Sequence, residues 1–384
     1  MNKKLSFRIA ASLLLAAGVL SCAGLNGASS VPESLLAESP AGASYLIENK
    51  RIQLENGRKE WRAAPASSSR IKIALLGEPV YGDLTSDTFE DAVLFLTYQG
   101  GGNGTFYYIG AALSESCGYR GVNTILLGDR ISRPVAKVQN GLITVTYFDR
   151  RQDEPMAAAP SLEKTRYFIA AGSVLREIKP AGGEALYQGW LTIGHEVRSF
   201  LPCNEKEDLW LLGNSPVLDQ IITAYGKTMA GLPPYIPVFS IISGHRTSAP
   251  KEGYGADYQE AIFASALVHI WPRGSCRTDF IMVDAPLPGA RITSPLTFKG
   301  KARGTWFFEG DFPVILLDAQ GNRIAESYAS AKGEWMTENF VNFEGILHFR
   351  NSFSGTKGIL ILKKDNPAGL PEFDDALEIP VIFE

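Results

Sequence analysis

Residues 304–318 read "GTWFFEGDFPVILLD", and this stretch decides what kind of body the C-terminal third forms. Trp306, Phe307 and Phe308 stand among Glu309, Asp311 and Asp318. Aromatic rings beside carboxylates suit a binding or catalytic cleft, whereas apolar residues between turns suit the strands of a packed sheet. The surrounding sequence favours the sheet. From about residue 279 to 384, "PLTFKGKA", "GTWFFEG", "PVILLD", "RIAESYAS", "NFEGILHF", "KGILILKK" and "LEIPVIF" recur at short intervals, divided by turn chemistry such as "DAQGN" and "DNPAG". Short strands at this spacing over about 100 residues predict an immunoglobulin-like β-sandwich. If 304–308 is one of those strands, Trp306 and Phe308 share a face and Phe307 takes the other. The expectation is one face in the core with Phe307 outside or at a domain contact, which makes Trp306, Phe307 and Phe308 the candidate interaction residues.

Upstream, residues 184–277 read as a second domain. "ALYQGWLTIGHEVRSFLPC", "DLWLLG", "YIPVFSIISGHR" and "ALVHIWPRGSC" are strand-like, and "SPVLDQIITAYGKTMAG" places Val217, Ile221, Ile222 and Tyr225 at helical spacing behind a Ser-Pro start. An α+β barrel-like unit is predicted. Residues 45–178 precede it as a mostly β domain, with "DAVLFLTYQGGGNGTFYYIGAAL" reading as two apolar strands joined by a Gly-rich turn. The whole is mainly β and multi-domain, with the C-terminal sandwich (280–384) preceded by these two.

The chain opens "MNKKLSFRIAASLLLAAGVLSCAG". Lys3, Lys4 and Arg8 precede an apolar run shorter than the roughly 20 residues a membrane span needs, so residues 1–21 read as an export leader. The ending "VLSC" resembles a lipobox, which predicts cleavage before Cys22 and acylation of its sulfur. Residues 22–44, rich in Gly, Ala, Ser and Pro, then read as a flexible linker. The whole chain carries a net charge of −4, and losing a leader with three cations makes the remainder more acidic. Nucleic acid is excluded as an expected partner, because phosphate neutralisation needs a basic face. With Cys22 lipidated, Cys117, Cys203 and Cys276 remain, enough for one internal disulfide. Cys203 with Cys276 is the expected pair because both fall in one domain, and closing that loop contributes roughly 4 kcal/mol in the chain-entropy model. Cys117, in "SESCGYRG", reads as an unpaired loop cysteine.

Sequences that carry chemistry are sparse. "GDLTSDTFEDAVLFL" sets Asp83, Asp87 and Asp91 four residues apart, and oxygen ligands crowded into a short loop are what calcium requires. Thr85 and Thr88 depart from the D-x-N-x-D-G-x-x-D pattern that the loop resembles. The expectation is a loop that keeps its shape without metal, with calcium the alternative and no other cofactor. "SLEK" (161–164) matches S-x-x-K without companion motifs. "GHEVRS" lacks the second His of a zinc helix, Ser199 standing there. "GKT" (226–228) lacks the first Gly of a P-loop, and "GGGNG" (100–104) leads into a strand, which makes it a hairpin turn. His195, His245, His269 and His348 are scattered singly. Asp365, Glu372, Asp374 and Asp375 share one loop, where Asx-turns holding a long connection are expected over paired glycosidase carboxylates.

"SPLTFKGKARGTWFFEGDFPVILLDAQGNRIAESYASAKGEWMTENFVNFEGILHF", followed by "GILILKKDNPAGLPEFDDALEIPVIF", closely resembles the Gmad2 family, the immunoglobulin-like domain associated with bacterial spore germination, over roughly 280–383. The resemblance implies an extracytoplasmic interaction or structural module and no catalytic residues. "GGGNGTFYYIGAAL" and "NTILLGDRI" resemble a segment of other exported bacterial proteins whose aspartate loop reads closer to D-L-N-G-D-G. "LTIGHEVRSFLPC" and "LWLLG" resemble the C-terminal part of an envelope-stress lipoprotein family linked to copper tolerance, over about 90 residues and with no metal ligands carried over.

The expected protein is a lipid-anchored, extracytoplasmic envelope protein, not an enzyme, that binds an envelope-protein or cell-wall partner through its C-terminal sandwich. In a Gram-negative cell, Ala23 after the cysteine points to the outer membrane. The alternative function is a metal-handling or envelope-stress lipoprotein acting through the middle domain. A hydrolase would require Ser161 and a His or Lys to face one cleft.

Overall fold

The computed structural model describes residues 36–384 apart from 88, 116–117, 156, 183, 204, 206, 231–234, 273 and 351–354, and only the backbone at Glu372. The leader, Cys22 and Cys117 lie outside the described residues. The fold is mainly β, with one α-helix among the described residues.

The first body stacks two sheets. The larger runs in the order Lys50–Gln53, Ser44–Ile47, Gly118–Asp129, Phe106–Glu115, Asp91–Gln99, Arg70–Leu75, Arg58–Arg62, with Val80–Gly82 also pairing onto Asp91–Gln99. The smaller orders Val174–Ile178, Leu162–Ala171, Leu142–Asp149 and Val135–Gln139. "AVLFL" (92–96) is continuously apolar because its strand is covered on both sides: Val93 and Phe95 pack toward the smaller sheet with Ile143, Val145 and Phe168, while Ala92, Leu94 and Leu96 join Tyr45, Ile47 and Ile73. The linker expected over 22–44 does not reach its far end. Ala37 exchanges backbone hydrogen bonds with Tyr119, and Pro40, Ala43 and Ser44 are buried, so residues 37–44 belong to this body.

The middle body is a closed barrel, in the order Ala185–Ile193, Arg198–Pro202, Leu209–Leu212, Glu260–Trp271, Val238–Ser248. Leu191, Phe200, Leu211, Ile242 and Ile262 fill it, and the helix Ser215–Thr228 adds Ile221 and Tyr225 to the same core. Ile222 is exposed, and the Tyr225 hydroxyl donates to the Ile236 carbonyl at 2.7 Å. Cys203, just past the second barrel strand, and Cys276, past the last, form a disulfide with a sequence separation of 73.

The third body is an eight-stranded sheet folded on itself: Ile281–Ala285, Leu296–Arg303, Phe340–Leu347, Arg323–Ala331, Asp311–Asp318, Lys357–Lys363, Ala376–Phe383, Ala290–Ile292. Phe298, Phe312, Phe343, Leu360 and Phe383 lie in its core. Here the structure corrects the expectation for residues 304–308, which are not a strand. Gly304–Trp306 is a single 3-10 turn. A Cβ on Gly304 would lie 2.0 Å from the Thr337 carbonyl oxygen, so only glycine permits this approach. Phe308 and Asp311 then close a two-residue hairpin whose central residues, Glu309 and Gly310, both have positive φ. Period-two alternation is lost, and two adjacent rings turn inward: Trp306 is 1% exposed and Phe307 4%, while Phe308 is 42% exposed. Phe307 meets Phe312 edge-on at 5.2 Å, and Phe312 meets Phe343 at 5.0 Å. Trp306 and Phe307 are therefore core residues rather than interaction residues, and Phe308 alone of the three presents its ring to solvent.

The bodies are seamed together. Ile169 of the first packs with Phe239, Ile241, Val268 and Trp271 of the barrel. Gln188 Nε2 donates to the Gln139 carbonyl at 2.9 Å, and Asn140 Oδ1 accepts from the Thr278 amide at 3.2 Å. Arg303 pairs with Glu90 at 3.2 Å, and Arg277 with Asp375 at 2.7 Å.

Candidate functional site

The aspartate loop is where the sequence places cation chemistry. Asp91 opens the doubly covered strand Asp91–Gln99, Asp83 follows Val80–Gly82, and those two strands pair in register at Gly82 and Asp91. The chain between them must double back, which brings Asp87 over the pair. The three carboxylates each offer an oxygen within 4.8 Å of the others. Asp83 is 3% exposed and Asp91 fully buried. Asp83 Oδ1 accepts from the Thr85 and Ser86 amides at 3.1 and 2.6 Å, and Asp87 Oδ1 from the Phe89 amide at 2.9 Å. Asp91 is held from two sides, Oδ1 by the Ser114 amide at 2.8 Å and Oδ2 by the Leu84 amide at 2.9 Å. Burial pushes the Asp91 carboxyl up to about 7, against those amides, and the charges of Asp87 and Asp83 push the same way. Negative charge gathered in a low dielectric favours either a proton or a cation.

The other motifs are occupied structurally. Ser161 donates to Glu154, and Lys164 pairs with Asp149 at 2.6 Å, so each polar head is engaged by a separate carboxylate. Residues 226–228 are in the last turn of the helix Ser215–Thr228, the end that offers carbonyls rather than amides. Residues 100–104 connect two antiparallel strands, with Gly101 at positive φ. His195 lies in the turn after Ala185–Ile193, and Ser199 is buried within Arg198–Pro202. His245 stacks on Phe263, and His269 packs edge-on against Trp271 at 4.4 Å, where burial and then Arg176 lower its pKa. In the acidic loop, Asp365 takes a backbone bond from its amide to the Trp306 carbonyl, Asp374 accepts from Asn366 at 3.0 Å, and Asp375 serves the Arg277 pair and the Ala376 amide.

The sequence reading passed over the outer face of the C-terminal sheet. Tyr328 is 55% exposed and Ile346 52%, on adjacent strands. Beside them Pro313 stands in register with Tyr328, Ile315 with Ile361 and Leu317 with Ile359, all partly exposed. A solvated face of an antiparallel sheet ordinarily alternates to polar residues. The clue was in "ESYAS" and "EGILHF", where Tyr328 and Ile346 occupy the positions that alternation assigns to solvent.

The family model described as Gmad2, the immunoglobulin-like domain of bacterial spore germination, matches residues 280–369, which stops short of the strand Ala376–Phe383. No curated protein and no solved structure matches the chain. The resemblance to a known family therefore falls on the third body, an immunoglobulin-like β-sandwich of the Gmad2 type, the binding or structural kind of module.

Proposed function

We propose that this chain is a lipid-anchored cell-envelope protein that acts without catalysis, its immunoglobulin-like body engaging an envelope protein or cell-wall partner. The observation that carries the reading is the Gmad2 match over 280–369, on a body whose loop carboxylates are engaged, Asp374 by Asn366 of the same loop and Asp375 by Arg277 across the seam. The leader with its lipobox-like "VLSC" supports a membrane attachment through Cys22, and Ala23 after that cysteine supports the outer membrane in a Gram-negative cell. Two acyl signals or more on one residue anchor stably, each chain adding about 0.8 kcal/mol per buried CH2. Growth of the native organism with an alkyne fatty acid tests this: the wild-type chain takes up label and sediments with membranes, and Cys22→Ser loses both. Unlabelled wild-type protein in the soluble fraction would end the anchoring claim.

A second reading rests on the converged carboxylates. Calcium held by Asp83, Asp87 and Asp91 would neutralise charge that the fold otherwise buries, and metal handling would then belong to the first body rather than to the middle one. Millimolar calcium is expected to raise the melting temperature of EDTA-treated protein and to leave Asp87→Asn unaffected. Equal melting with and without calcium removes the reading.

A further inference from the structure

We propose that the seam between the first body and the barrel is an acid-sensitive joint, and that His269 of the barrel loosens it by taking a proton opposite Arg176 of the first body. The barrel strand Glu260–Trp271 sets the geometry. Ile270 packs on the barrel core while Trp271 packs outward with Ile169 of the first body, so alternation carries His269 outward beside Trp271. The two rings meet edge-on with centroids 4.4 Å apart. His269 is half-buried there, and Ala170 and Gly172 of the first body line the same cavity. Arg176, on the strand Val174–Ile178, reaches across the seam and donates from Nη2 to the Val268 carbonyl at 2.9 Å. A guanidinium of one body is thereby fixed beside the residue that precedes His269 in the other.

Three further charged groups, Asp87, Glu115 and Arg120, line that cavity of about 270 Å³. Glu115 and Arg120 pair with each other at 2.5 Å, and Asp87 Oδ1 accepts from the Phe89 amide. Among the described residues no carboxylate forms an ion pair with His269 or with Arg176. Burial first and Arg176 second therefore act on the imidazole unopposed, and both hold it neutral. The hydrogen bonds of the same seam, Gln188 to the Gln139 carbonyl and the Thr278 amide to Asn140, involve no group that titrates near neutrality. A proton on His269 places a second cation against Arg176 in a partly dry interface. In the open joint water surrounds both groups, and the imidazole regains its ordinary value of 6.5. Because the closed-joint value lies below the open-joint value, the closed form is fully favoured above that ordinary value and loses ground as pH falls from it toward the lower one. Asp91, whose carboxylate accepts from the Ser114 amide at the cavity wall, responds in the opposite sense: with its carboxyl raised to about 7, a proton there stabilises the folded form.

Hydrogen exchange of the full mature chain, followed by mass spectrometry and corrected for the intrinsic pH dependence of exchange, tests the joint. Between about pH 7.5 and about pH 5.5, peptides covering Ile169–Leu175 and Val268–Trp271 are expected to exchange about threefold faster or more. The strand Phe340–Leu347 of the third body, away from this seam, serves as the internal reference and should keep its protection. His269→Gln, neutral at every pH, should hold the seam closed in acid, and Arg176→Gln should shrink the response. Equal seam exchange at the two pH values, the same acid loss in His269→Gln, or a loss shared equally by Phe340–Leu347 would each overturn the proposal. Should His269→Gln fail to fold, proton NMR of the wild-type chain decides, through the imidazole resonance displaced by the Trp271 ring. Titration below the ordinary histidine value, moving up toward it in Arg176→Gln, supports the joint; titration at or above that value in the wild type ends it.

Discussion

The aspartate loop of the first body and the outer face of the third depart from ordinary burial in opposite directions. One takes carboxylates out of water, with Asp91 fully buried; the other leaves Tyr328 and Ile346 in it. Each departure costs stability locally, and each lies on a regular framework: an eight-stranded sheet in both bodies. The contrast teaches where to look for function in a β protein without a catalytic constellation. Strand pairing and core packing are satisfied almost everywhere, so the places where polarity and burial disagree are the informative ones.

The contrast breaks most sharply if the aromatic stretch behaves as a surface. Phe307→Ser is expected to cost roughly 3–5 kcal/mol and to unfold the third body in chemical denaturation, because the ring sits against Phe312 in the core. A loss near zero would return Phe307 to the interaction residues. Next, Cys203→Ser/Cys276→Ser should cost roughly 2–4 kcal/mol, read as a lower denaturation midpoint. Asp91→Ala strips partners from the buried Leu84 and Ser114 amides, a loss of about 2 kcal/mol net of the relieved carboxylate repulsion; unchanged stability would mean the loop is not built around that side chain. Smaller again, Glu177→Gln removes a paired contact with Arg166, 2.8 Å at both oxygens, for about 1 kcal/mol. Arg166 holds the Glu177 carboxyl below its ordinary range. Its contribution is therefore present above the unfolded-state value and disappears as pH falls through the lower folded value, so wild type and variant should converge in acid. Tyr328→Ser is expected to change stability by less than about 0.5 kcal/mol, and a larger loss would show that the ring is structural.

Much of the fold was legible. Six of the seven C-terminal strand segments form strands, because alternation and turn residues are local properties that the sandwich leaves intact. "GTWFFEG" misled for a physical reason: the carbonyls of Trp335 and Thr337, some 30 residues away, crowd Gly304 and force the turn. The Glu309-Gly310 turn was visible in principle, but Glu is an uncommon residue at positive φ. The aspartate spacing announced convergence, whereas the depth of Asp91 depended on the smaller sheet and on Ser114. Tyr328 and Ile346 were hidden among strand residues of the right type, since only the register shows which face they take.

The Cys203–Cys276 bond also has a mechanical side. Once the direct Arg303–Glu90 contact between the first and third bodies has parted, a force applied between the N-terminus and the third body is carried by the chain of the barrel. The bond shunts that load past the 73-residue loop, withholding on the order of 250 Å of contour length from extension. In an oxidising compartment three of the five barrel strands then cannot be drawn out, and only Ala185–Ile193 and Arg198–Pro202, which precede Cys203, are left free to peel from the barrel under load.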